Sequence, residues 1–154
     1  MNELNYKKYR ILLVDDEIGN LDNMLFALEL SFDIITASSG KEALDIMSRE
    51  RIAVIVADQR MPKMSGAELL SQVKQAYPQT IRILITAYSD IDAAIMAINQ
   101  GDIYRYLKKD IPIKEIESYL KQAIDFFHVR HENLRQRKPH PDSAIEYAFV
   151  PGRK

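Results

Sequence analysis

The sequence predicts an α/β fold, a doubly wound parallel sheet of five strands with five helices, the last of them extended. Three observations predict it. Short apolar runs alternate with longer segments of helical period, as in βα units around a parallel sheet. Two apolar runs stop abruptly on carboxylates, Ile11–Val14 on Asp15 and Asp16 and Ile52–Ala57 on Asp58. Helix starts are signalled just after strands by serine with glutamate three residues later, at Ser39 with Glu42 and at Ser65 with Glu68.

In chain order, the strands are expected near Arg10–Val14, Asp33–Ala37, Ile52–Ala57, Ile81–Thr86 and Tyr104–Lys108. Four intervening segments, Leu21–Leu30, Glu42–Glu50, Glu68–Ala76 and Asp92–Asn99, place apolar residues three and four apart, so each has one face for the sheet. Pro78 and Gly101 mark helix exits. A fifth helix is expected to begin near Pro112, where a missing N–H costs little. Its apolar stripe is Ile113, Ile116, Leu120, Ala123, Ile124 and Phe127, and it should run on to about Gln136. The domain is therefore expected over residues 8–127, with 128–154 as the helix end and a linker or tail containing Pro139, Pro141 and Pro151.

Composition narrows the function. With 154 residues and 47% hydrophobic content the chain can bury one substantial core. Twenty-one basic and 22 acidic residues give a net charge of −1, and so no general attraction to nucleic acid or membrane. There is no cysteine, hence no disulfide framework and no thiolate zinc site. MNELNYKKYR lacks the apolar core of a signal peptide, and no run approaches the ~18 apolar residues of a membrane span. A cytoplasmic protein is the expectation.

A strand buried on both faces should not end on a charge unless that charge meets solvent, a metal or a reagent. In a parallel sheet the ends at Asp15, Asp16 and Asp58 would lie side by side, and three carboxylates in one crevice repel unless a cation sits among them. A divalent metal follows. The same edge receives Thr86 from the fourth strand and Lys109 from the fifth, a hydroxyl and an ammonium for an anion. The set suits phosphoryl chemistry, with a carboxylate nucleophile, Mg²⁺ or Mn²⁺ neutralising oxygens, and Lys and Thr holding the rest. Taken singly, these residues have plainer readings: Asp15 and Asp16 could cap the first helix, Thr86 could be a packed β-branched residue, and Lys108 competes with Lys109, since only one can point into the site.

LLVDDE from Leu12 to Glu17, VADQRMPKMSGAEL from Val56 to Leu69, LITAY from Leu84 to Tyr88 and RYLKK from Arg105 to Lys109 together resemble the receiver domain of two-component response regulators, over roughly residues 8 to 127. The resemblance implies a flavodoxin-like sheet of order 2-1-3-4-5. It implies that Asp58 accepts a phosphoryl group from a sensor histidine kinase or a phosphotransfer protein, and that Asp15, Asp16, Asp58 and the backbone carbonyl of Arg60 bind Mg²⁺. Thr86, Lys109 and the backbone of Ala87 would contact the phosphoryl group, Thr86 and Tyr106 would form the switch, and Arg60 and Tyr88 would tune dephosphorylation. Met61, Pro62 and Gly66 would shape the loop. At the position after the lysine the family usually has a proline joined by a cis peptide, whereas this chain has Asp110; a trans peptide is expected there, because cis before a non-proline costs ~3 kcal/mol.

The main alternative is a receiver-like interaction module that does not need phosphorylation. A small phosphohydrolase of the haloacid-dehalogenase type also uses an Asp nucleophile, but it needs D-x-D after the first strand, and here Glu17 stands second after Asp15. A dinucleotide module needs G-x-G-x-x-G, where this chain reads DDEIGN and Gly19 stands alone. Arg130, Arg135, Arg137 and Lys138 read as a solvated helix face and not as a nucleic-acid patch. The implied partners are thus a kinase and either an output domain outside this chain or a separate target protein, with a homodimer expected through helix four, strand five and helix five.

Overall fold

The structure, a computed structural model, describes residues 4–87 and 91–136. Five parallel strands form one sheet in the order β2-β1-β3-β4-β5, with β1 at Arg10–Val14, β2 at Asp33–Ala37, β3 at Val54–Asp58, β4 at Ile81–Thr86 and β5 at Arg105–Lys108. Five helices alternate with them: α1 at Ile18–Leu28, α2 at Gly40–Arg49, α3 at Gly66–Ala76, α4 at Ile91–Asn99 and α5 at Ile113–Gln136. A single 3₁₀ turn, Tyr6–Lys8, precedes β1. The expected fold class and strand order are those observed.

The pleat explains why β1 and β3 read as unbroken apolar runs. Alternate residues serve two cores, so no position on a central strand is left for water. Ile11, Leu13, Val54 and Val56 pack with Leu21 and Leu28 of α1 and with Ile116, Leu120, Ile124 and Phe127 of α5. Leu12, Val14, Ile55 and Ala57 pack on the other face with Ala43, Ile46 and Met47 of α2, Leu69, Leu70 and Val73 of α3, and Ala94 and Ala97 of α4. Leu120 and Ile124 are fully buried, each worth ~1.5–3 kcal/mol by burial alone. The apolar stripe predicted for α5 is thus buried from Ile116 to Phe127, whereas Ile113 at its head is exposed.

Helix ends follow local chemistry. Ser65 and Glu68 make a complete capping box. At Ser39 only half of one forms: the Ser39 hydroxyl accepts from the Glu42 N–H, but the Glu42 carboxylate accepts from the N–H and hydroxyl of Ser38. Gly101, at φ +74°, ends α4 in a Schellman motif, with Asp102 N–H donating to Ala97 O and Gly101 N–H to Ile98 O. Several boundaries shift from expectation, those of β3 and α1 at both ends. Strand β3 starts at Val54 because the ladder begins at Ile11↔Val54, and it ends one residue later, with Asp58 paired to Ile85. Helix α1 starts at Ile18 and ends at Leu28, two residues before Leu30, which is exposed.

Among the described residues every peptide is trans, including Lys109–Asp110 as expected. None of the described helices is long and apolar enough to cross a membrane. The expected tail from residue 137, and with it Arg137, Lys138 and the three prolines, lies outside the described residues, as does Tyr88.

Candidate functional site

In this strand order the chain leaves β1 toward β2 and returns on the far side to β3, so the β1/β3 boundary is the switch point where loops part and a crevice opens at the carboxyl edge. Asp15 follows directly on β1, its N–H donating to Ala37 O. Asp58 is the last residue of β3. Asp15, Asp16 and Asp58 can each offer one carboxylate oxygen such that all lie within 4.8 Å of one another. Asp58 is 2% exposed and Asp15 7%, while Asp16 faces solvent.

The structure brings Lys109 and not Lys108 to these acids. Lys109 Nζ lies 2.9 Å from Asp58 Oδ1 and 3.8 Å from Asp15 Oδ2. It stands one residue beyond β5, held by its own N–H donating to Thr86 O at 3.1 Å. Burial, the largest influence, raises the Asp58 pKa above the usual carboxylate range; the Lys109 hydrogen bond opposes it, and Asp15 adds to it. Burial alone would push the Lys109 ammonium down, but its hydrogen bond to Asp58 and the charges of Asp58, Asp15 and Glu17 outweigh it and hold the pKa up. Among the described residues, one ammonium set against three carboxylates leaves the site with an excess of negative charge. The donor set is all oxygen, which fits a hard divalent cation such as Mg²⁺ and disfavours a soft one.

Thr86 closes β4 and is buried; its hydroxyl donates to the Ala87 carbonyl at 3.0 Å. Ala87 is exposed. Tyr106, on β5, is half-buried against the core on the α2–α4 side. Arg60 is exposed in the loop after β3. That loop turns through Lys63, whose φ of +71° lets Met64 N–H donate to Pro62 O across a three-residue γ-turn. Gly66 then lets α3 press against β3: a Cβ there would stand 2.4 Å from the Asp58 carbonyl oxygen and 2.8 Å from Leu84 Cδ1. Met61 is buried. The loop-shaping expected of Met61, Pro62 and Gly66 therefore has a visible basis.

Three residues that hold the site went unread in the sequence. Gln59 N–H donates to Ile85 O, its carbonyl accepts from Gly66 N–H, and its side chain accepts from Ala67 N–H at 2.9 Å, so the residue beside Asp58 pins the start of α3. Asn20 Nδ2 donates to Asp15 Oδ2 at 3.2 Å, and Glu17 N–H donates to Asp15 Oδ1 at 3.0 Å. Asp15 thus does tie the start of α1, while its carboxylate also borders the crevice. No sequence signal separates Gln59 or Asn20 from ordinary surface amides. The third, Lys63, sits between Pro62 and Met64, where a turn is legible but a left-handed lysine is not.

The Response regulator receiver domain family matches residues 11–121. Among curated proteins, the chain is 34% identical over 119 residues to the hydrogenase transcriptional regulatory protein HoxA of Cupriavidus necator, covering 77% of this chain and 25% of that one. It is 31% identical over 150 residues to the transcriptional regulatory protein GlrR of Escherichia coli, covering 96% of this chain and 31% of that one. The chain therefore spans about a quarter to a third of the length of these relatives. Among solved structures, a response regulator receiver domain protein from Clostridium thermocellum superposes with a TM-score of 0.74 at 33% identity, covering 79% of this chain and 98% of the other. The acid cluster at the switch point, the lysine reaching into it and these likenesses lead to one conclusion: the chain belongs to the response regulator receiver domain family.

Proposed function

We propose that this chain is the phosphoacceptor module of a two-component pathway, with Asp58 as the residue phosphorylated. The observation that carries the reading is a buried carboxylate at the carboxyl end of β3, 2.9 Å from the Lys109 ammonium and beside two further acids. One Asp58 carboxylate oxygen attacks the phosphorus of a phosphohistidine on a sensor kinase or phosphotransfer protein. The P–N bond breaks, its electron pair returns to the imidazole, and an acyl phosphate remains on Asp58. Asp15, Asp16, Asp58 and the Arg60 carbonyl would hold Mg²⁺, which neutralises phosphoryl oxygens when bound.

Lys109 already lies against Asp58 and takes a phosphoryl oxygen in its place, while the Thr86 hydroxyl and the Ala87 N–H take the others. For Thr86 this means leaving the Ala87 carbonyl it now bonds. That movement vacates space toward which the half-buried Tyr106 turns, so phosphate selects one of two arrangements by binding it better. Arg60 and Tyr88 flank the water path to the phosphorus and set the lifetime of the acyl phosphate. On this reading the receiver unit spans residues 8–127 and acts in the cytoplasm.

Output leaves through the face of α4, β5 and α5, where Ile95, Met96, Tyr104, Ile113 and Phe126 are exposed, toward an output domain or a separate target and through a homodimer. Incubation with Mg²⁺ and a small acyl-phosphate donor should label the wild-type chain and leave Asp58→Asn unlabelled. Equal labelling of the two would overturn the assignment.

A further inference from the structure

At the opposite edge of the sheet, a cleft of about 1050 Å³ lies between the start of β1, the α2–β3 connection and the last turns of α5. Most charges there are committed to one another. Arg10 bridges Asp33 on β2 at 3.0 Å and Glu50 at 2.5 Å, and Arg135 pairs with Glu132 at 3.2 Å. Tyr6 donates its hydroxyl to Asp125 at 3.0 Å, and the Tyr9 hydroxyl meets Nδ1 of His128.

Arg51 is different. Among the described residues no carboxylate lies within ion-pair distance of it, and its Nη2 stands 3.0 Å from both ring nitrogens of His131. The His131 ring in turn stacks on Phe127, centroids 5.7 Å apart and planes 7° apart, and Phe127 meets the Tyr9 ring edge-on at 5.9 Å. Equidistant from the two nitrogens, Nη2 lies over the imidazole face and not in line with a ring lone pair: a neutral ring accepts the cation against its π face, whereas an imidazolium would set two cations about 3 Å apart.

We propose that Arg51 and His131 form a proton-sensitive latch that fastens the last turns of α5 to the amino-terminal edge of the sheet, and so fixes the direction in which the chain leaves the receiver. Burial first, then the charges of Arg51 and Arg135, hold His131 below the usual histidine range, with Glu132 opposing. For a histidine so depressed the released state binds the proton more tightly. The latch is closed above the ordinary histidine pKa of about 6.5 and opens as pH falls from there toward the lowered value. His128, one turn earlier on α5 and also lining the cleft, acts in the same direction. Phe127 is buried in the core, so release begins beyond it and α5 stays docked from Ile116 to Phe127.

Amide hydrogen exchange on the full chain tests this, with protection factors corrected for intrinsic exchange. Between pH 7.5 and 5.5 protection over residues 129–136 should fall severalfold relative to residues 116–124, up to the roughly tenfold limit for one proton on a released histidine of pKa about 6.5. In His131→Phe, which keeps a ring on Phe127 but cannot take a proton, the fall should vanish. Arg51→Gln should raise the His131 titration midpoint seen by NMR and weaken the fall. Unchanged protection in the wild type, the same fall in His131→Phe, or an unmoved midpoint in Arg51→Gln would each overturn the latch.

Discussion

Asp58 is held at the site against the preference of its own charge. Because burial raises its pKa above the ordinary carboxylate value, the folded chain binds a proton more tightly there than the unfolded chain does. Stability from this group therefore rises as pH falls from the raised value toward about 4, and ionised Asp58 opposes folding at neutral pH. Asp58→Asn should accordingly melt higher than wild type in EDTA at pH 7, by ~2–4 °C if the gain is about 1 kcal/mol. The advantage should shrink as pH approaches 4, and a wild type that melts higher at pH 7 would contradict the argument. Asp58, Asp15, Asp16 and Thr86 were legible because each is a polar residue at the end of an apolar run, whereas Lys109 was favoured over its neighbour Lys108 only by the resemblance to receivers. Gln59 and Asn20 were not, because their contribution is a hydrogen bond whose partner comes from another turn of the chain.

At the scale of elements, the strength of each local signal tracks how many groups it must satisfy by itself. The box at Ser65 and Glu68 closes on its own backbone, and Ser65→Ala should lower stability by about 1 kcal/mol, read as a lower midpoint in thermal melts. The matching spacing at Ser39 and Glu42 gave only half a box, since Ser38 offers the Glu42 carboxylate an N–H and a hydroxyl together. Gly66 is a contact between elements: an added Cβ would meet the Asp58 carbonyl oxygen at 2.4 Å, so β3 or α3 must move. Gly66→Ala should cost ~1–3 kcal/mol and slow acyl-phosphate labelling, because the atom displaced belongs to Asp58, the residue proposed to accept the phosphoryl group. Labelling at the wild-type rate in a destabilised Gly66→Ala would show that the site tolerates the shift.

Across the whole molecule, the site's uncompensated charge links metal to stability. Mg²⁺ at 100 times its dissociation constant should stabilise the wild type by ~2.7 kcal/mol, and Asp16→Asn, which removes the exposed member of the acid cluster, should lose much of that gain in melts with and without the ion. Light scattering with and without a phosphoryl mimic addresses the proposed homodimer, and a monomer in both states would end it. The sequence by itself determined the βα alternation, the strands that carry the chemistry and the acids that end them, because burial on both faces forces an apolar run and a charge can only stand where that run stops. Strand order was legible through the resemblance to receivers alone, since periodicity along a strand carries no record of its neighbours. Tertiary structure decided which lysine enters the crevice, where β3 begins and ends, and what the end of α5 rests on. Those depend on strand register and on contacts between Arg51 and His131, eighty positions apart, and distances of that kind are set by packing and not by any local preference of the chain.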